Sequence, residues 1–454
     1  FAHDNPEVEL YPASYTHDDL PPNPPVIGTL TPTSPTATTT TPSVSLTAEP
    51  GSTVGLFLTD CTGVAIATGV ADASGQVTLT ATVPENATSV LKAQATDAAG
   101  NPSACSPGVS FTHDANAPTA VVLTAIAPIG PSANPAPVLT GTAEALTDVA
   151  IFQDASCGGA PIAVTTASAT GTFTLATPVG LNQATSLTAH ATDSSGNVSD
   201  CSNSLFYVHD DVAPTAPVLT GTVPPSPSTS LQPTAAGQAE PDSSVRLFGD
   251  AACTLALGGP VTAGNGLFQV AVATFLEANA STSLYAQATD AAGNVSLCSS
   301  ALVYLHDGVG PTAPVLTGSN PASPTNATTA PVISGTTDAS SLVSFFVNAP
   351  CSGAPVATAT AGVSGGFSGP VNVPTDQTVL IYAMAEDAAG NPSGCSAPFS
   401  FTHDATAPNA PAIIGATPTS PSTDQTPTLS VAAEAGSVVS VFASADCSGV
   451  PAAK

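Results

Sequence analysis

The segment Ala95–Pro118 reads ATDAAGNPSACSPGVSFTHDANAP, and three near copies follow it. They are ATDSSGNVSDCSNSLFYVHDDVAP from Ala191, ATDAAGNVSLCSSALVYLHDGVGP from Ala288 and AEDAAGNPSGCSAPFSFTHDATAP from Ala385. The His-Asp pair sets the period: it occurs at His17, His113, His209, His306 and His403, in steps of 96, 96, 97 and 97 residues. Solenoid repeats run about 20–50 residues, so this spacing is too long for them. It is the size of one antiparallel β-sandwich domain of about 100 residues.

Within one period the strand signals are short and evenly spaced. In the second copy, strands are expected at AVVLTAIAP from Ala120, at PVLTGTAE ending at Glu144 and at DVAIFQD from Asp148. Weaker strands follow in IAVTTASAT and GTFTLAT, then TSLTAHATD ending at Asp193 and SLFYVHD ending at Asp210. Six or seven such strands, separated by Gly, Pro and Ser turns, predict a sandwich. Alternation along TSLTAHATD places Leu187, Ala189 and Ala191 in the core and Thr188, His190 and Thr192 toward solvent. Leu91, Leu284 and Ile381 take the core position of Leu187 in the other copies, while His190 has no counterpart and no assigned role. The fold class is therefore all-β, a tandem array of immunoglobulin-like β-sandwiches on one rod. Its expected parts are residues 1–18 (the end of a preceding repeat and a linker), 19–114, 115–210, 211–307, 308–404 and a partial repeat 405–454. FAHD at the start reads as the end of a preceding last strand, and the chain as a window on a longer array.

Composition narrows the function. The 454 residues carry 3 Lys plus Arg against 32 Asp plus Glu, a formal charge of -29. Lys92, Arg246 and Lys454 are the whole basic inventory, which excludes nucleic acid as a partner, because phosphate backbones demand a basic footprint. Anionic membrane surfaces are disfavoured on the same ground. No apolar run approaches the ~18 residues of a membrane span, and no signal peptide pattern opens the chain.

The cysteines keep the period too. Cys61 and Cys105, Cys157 and Cys201, Cys253 and Cys298, and Cys351 and Cys395 lie 44, 44, 45 and 44 residues apart, with Cys447 starting a fifth pair. One bridge inside each repeat implies an oxidising compartment. Two alternatives are bridges between neighbouring repeats, such as Cys105 to Cys157, and free buried thiols.

In an immunoglobulin sandwich the last strand (G) ends where the next domain presents the loops between its second and third strands (B–C) and its last two (F–G). Asp18 should then approach Glu49 and Asp97, Asp114 should approach Glu144 and Asp193, and Asp210 should approach Glu240 and Asp290. Asp307 should approach Asp338 and Asp387, and Asp404 should meet Glu434. Carboxylates converging without Lys or Arg invite a hard divalent cation, and Ca²⁺ takes 6–8 oxygen ligands. The competing reading is turn chemistry, since Asp, Asn and Gly in TDAAGN are turn formers. Each His before a linker Asp reads either as a transition-metal ligand or as the last residue of a strand.

GTAE, TDAAGN and the linkers DDLPP, DANAP, DDVAP, DGVGP and DATAP together resemble the tandem bacterial immunoglobulin-like repeats of large surface adhesins and biofilm-associated proteins. The resemblance implies a secreted stalk at the cell surface, stiffened by structural Ca²⁺ between repeats, with neighbouring repeats of the same longer chain as its partners. The His before each linker Asp, Asp338 in place of Glu, and the Gly in DGVGP depart from that pattern. A fibre or sheath subunit joining other copies through exposed sheet edges is the alternative. Catalysis is not expected, because no GxSxG-type motif appears and the His residues follow the repeat. Carbohydrate binding lacks stacking platforms, with 5% aromatics and no Trp. Glycosylation sequons occur at Asn86, Asn197, Asn279, Asn294 and Asn326.

Overall fold

A computed structural model describes residues 15–453, so the FAHD segment lies outside the described residues. Among those residues every regular element is a strand. The chain divides into two compact units, one ending at Pro214 and including Thr289–Val295, the other running from Thr215 to Ala288 and from Ser296 onward.

In the first unit, the first repeat contains β1 (Val26–Thr31), β2 (Ser43–Thr47), β3 (Thr53–Phe57), β4 (Ala67–Val70), β5 (Gln76–Thr80), β6 (Ala87–Thr96) and β7 (Val109–His113). They form two antiparallel sheets, β1-β2-β5 and β4-β3-β6-β7. The second repeat copies this with β8 (Val122–Ala127), β9 (Val138–Thr142), β10 (Asp148–Phe152), β11 (Ala163–Thr166), β12 (Thr172–Ala176), β13 (Ala184–Thr192) and β14 (Leu205–Val208). Its sheets are β12-β9-β8 and β11-β10-β13-β14. Two further copies run from Val218 to Leu305 and from Val315 to Thr402. In the last segment, strand Ala412–Thr417 pairs with strand Thr428–Ala432.

Alternating side chains build one core cluster per complete repeat. Leu187, Ala189 and Ala191 are fully buried, as are Leu91, Leu284 and Ile381. In the second repeat they lie beside Val149 and Ile151 of the neighbouring strand β10 and share the core with Phe173 of the other sheet. Burying one such aliphatic side chain stabilises by about 1.5–3 kcal/mol, and the alanines beside it add less, so the core is thin. The outward face of β13 departs from simple alternation. Thr188 is 1% exposed and donates its hydroxyl to Asp154 O at 2.6 Å, because the loop after β10 folds over it. His190 is half-buried against the Phe152 ring at 4.9 Å.

Four disulfides close within the repeats: Cys61–Cys105, Cys157–Cys201, Cys253–Cys298 and Cys351–Cys395, with Cα separations of 5.7, 5.8, 6.0 and 5.7 Å. Bridging between repeats and free thiols are thereby excluded for these eight residues; Cys447 is free and exposed.

Candidate functional site: the junctions between repeats

The F–G turn follows β6 or β13 and is held by its own aspartate. Asp193 Oδ1 accepts the backbone N–H groups of Ser195 and Asn197 at 2.8 and 2.9 Å, and Gly196 takes φ +88, which a side chain would resist. Asp97 and Asp387 do the same for Ala99 and Asn101, and for Ala389 and Asn391. The Asn101 side-chain hydrogen bond, helped by its backbone N–H, holds the Asp97 carboxyl below the usual carboxylate range.

Beyond the turn the chain runs back along β6, with Ser103 N–H donating to Ala95 O and Ser106 N–H to Ala93 O. Both serines are buried, and their hydroxyls accept the N–H groups of Ala95 and Ala93 at 3.0 and 2.9 Å. The segment thus stays attached where backbone pairing is irregular. The recurring S-x-C-S string places its Cys beside the end of the third strand, where the first Cys of the pair waits. The motif is visible in the sequence, but its spacing alone does not show that its serines accept the N–H groups of β6.

The strand-end histidines are structural. His113, His209, His306 and His403 are buried, and each Nδ1 accepts a backbone N–H: from Asn86, Asn182, Asn279 and Asp376 at 3.1, 2.9, 2.9 and 3.1 Å. The same Asn86 accepts Ala115 N–H through its Oδ1 at 2.7 Å, and Asn182 does so for Asp211 at 2.9 Å. One loop therefore grips both the end of the last strand and the first linker residues. An accepting Nδ1 places the ring proton on Nε2, and His306 Nε2 lies 3.1 Å from Thr229 O, to which it donates. Nδ1 is thus already committed to a hydrogen bond in all four rings. In the fourth repeat Asp376 replaces Asn and stands 3.6 Å from His403 Nδ1.

Each linker aspartate opens a turn of its own. Asp18, Asp114, Asp210, Asp307 and Asp404 accept, through Oδ1, the N–H two residues ahead, at 3.1, 3.1, 3.1, 3.1 and 3.0 Å. The B–C acids turn inward to their own repeat where a side-chain partner exists. Asp338 accepts Thr312 N–H and the Thr312 hydroxyl at 3.0 and 2.8 Å, and Glu434 accepts Asn409 N–H at 3.2 Å. Glu49, Glu144 and Glu240 receive hydrogen bonds at their backbone carbonyls, from Ser52, Thr147 and Ser243.

What meets the linker aspartate is an asparagine amide. Asn197 Nδ2 donates to Asp193 Oδ2 within its turn and to Asp114 O of the preceding repeat, both at 2.8 Å. Asn101 reaches Asp18 O at 3.1 Å and Asn391 reaches Asp307 O at 2.9 Å. Asn294 reaches Asp210 O at 3.0 Å, both residues lying in the first unit. Asp97, Asp290 and Asp387 accept from the same three amides at 2.9 Å. Among the described residues no group of three or more His, Cys, Asp or Glu side chains stands together as a metal cage. The expected carboxylate triads do not form one, and a hydrogen-bond donor points where a cation would need oxygen ligands. The donor set, as arranged, does not fit Ca²⁺.

Residues 30–110 and 117–206 match the Bacterial Ig domain family. The two matches fall on the first and second repeats. The third and fourth repeats carry the same strand order, disulfide and turn. No curated protein matches the chain. Among solved structures, it is similar to a tetra-tandem repeat from the extending region of a large adhesion protein (22% identity, TM-score 0.34, covering 83% of this chain and 98% of that one). It is also similar to invasin, a bacterial integrin-binding protein (14%, TM-score 0.31, 84% and 79%), and to the BSP domain of a biofilm-associated protein (11%, TM-score 0.18, 88% and 100%).

Proposed function

We propose that this chain is part of an extracellular stalk that holds another module away from a bacterial cell surface, with a structural rather than catalytic role. The observation that carries the reading is the exact recurrence of one device. Four bacterial Ig-like sandwiches each have their own disulfide, and each F–G turn is bonded to the preceding linker. Disulfides in thin cores suit an oxidising exterior. A charge of -29 with 3 basic residues keeps neighbouring stalks apart and in solution.

Small-angle X-ray scattering on the full chain tests this. A strand of nine residues spans about 30 Å, so four repeats in line should exceed about 120 Å as a monomer. Growth into filaments at working concentration would favour the fibre subunit, and a monomer much shorter than that length would defeat the stalk.

A further inference from the structure

We infer that the junctions are fastened by a neutral asparagine clasp that works without a divalent cation. At each of four junctions a single amide, on Asn101, Asn197, Asn294 or Asn391, joins an F–G turn carboxylate to the carbonyl of the preceding linker aspartate. The turn carboxylate is held within its own turn. Asp193 Oδ1 holds two backbone N–H groups, and its Oδ2 orients the amide so that the second amide hydrogen points at Asp114 O. An ammonium-like role is thus played by an uncharged group, in a chain almost without Lys and Arg.

Single hydrogen bonds are weak, and each would favour the fastened arrangement by only about threefold to tenfold. Added contacts grade the junctions. Between the first and second repeats, Ala37 N–H also donates to Ser195 O at 3.1 Å, and the Ser195 hydroxyl approaches Asp114 Oδ2 at 3.5 Å. Between the third and fourth, Gly310 stands where the neighbouring linkers carry Ala117, Ala213 and Ala407. A Cβ at Gly310 would run into the Pro392 carbonyl. That glycine therefore marks close approach of the linker to the F–G turn rather than a decayed motif.

The test uses the full oxidised chain with spin labels on the first and second repeats, reading the distance distribution between them. It is measured in millimolar calcium and in EDTA, for the wild type, Asn197→Ala and Asn197→Asp. Asn197→Asp keeps the side-chain shape and removes the donor, and far-UV spectra with thermal melts confirm that both variants fold. The clasp predicts identical wild-type distributions in calcium and EDTA, with broadening in both variants under EDTA. Broadening of the wild type on chelation overturns the inference in favour of calcium. Wild-type distributions retained by both variants under EDTA overturn it in favour of packing alone. Neither result alters the stalk reading, which stands or falls on the monomer's length.

Discussion

The interior of a repeat and the junction between two repeats are held together by different physics. Inside the second repeat, Ile151, Leu187 and Leu139 are fully buried, and a disulfide spans 44 residues of sequence. At the junction to the first repeat, a few hydrogen bonds centred on Asn197 and Ser195 join largely solvated turns. Apolar burial and loop closure act in units of several kcal/mol, whereas one net hydrogen bond contributes about 0.5–1.5 kcal/mol. Folding is therefore decided inside each repeat, and the junction sets only how neighbours are oriented.

The largest blow to the interior should come from the bridge. Replacing Cys157 and Cys201 together by serine removes a constraint worth about 4 kcal/mol in the chain-entropy picture, and calorimetry should show the second repeat melting apart from the others. Unchanged melting would mean that the core needs no staple. Next is Ile151→Ala, expected to cost about 2–5 kcal/mol through lost burial and a cavity; denaturant titration measures it. His209→Ala sits between the two regions. It strands the Asn182 N–H and loosens the start of the linker, for about 1–3 kcal/mol, and hydrogen exchange at Asn182 and Asp211 should rise together. If only Asn182 responds, the loop does not couple strand end to linker.

Smaller effects belong to the junction. Asn197→Ala should lower the stability of the second repeat by about 1 kcal/mol, read from its melt, far less than the interior variants. The smallest concerns pH. Because the native Asp97 carboxyl titrates below its ordinary value, its contribution is complete above the ordinary carboxylate pKa of about 4 and is lost as pH falls through the lowered native value. A carboxyl NMR titration giving an ordinary or raised midpoint would show that the Asn101 contacts do not form in solution.

Much of the fold was legible beforehand because it is periodic. The strand expected from Asp148 appears as Asp148–Phe152, and the one ending at Asp193 appears as Ala184–Thr192. Alternation found Leu187, Ala189 and Ala191, but it misjudged Thr188, since period-2 reasoning cannot see a loop folded over the outer face. At the junction, the F–G turn meets the backbone carbonyl of the linker aspartate through Asn197. Charge marks Asp114 and Asp193 in the sequence, while the neutral Asn197 makes the bond between them.

Sequence by itself determined the repeat length, the all-β sandwich and the even spacing of the cysteines. Each follows from spacing along the chain, and spacing is conserved when a unit is copied. Only the tertiary structure decided which atoms meet between copies. It turned Asp338 onto Thr312, seated His209 under the Asn182 N–H and aimed the Asn197 amide at Asp114 O. Hydrogen bonds are directional and end within about 3.5 Å, so a contact between residues some 83 positions apart depends on how two folded surfaces present their donors and acceptors.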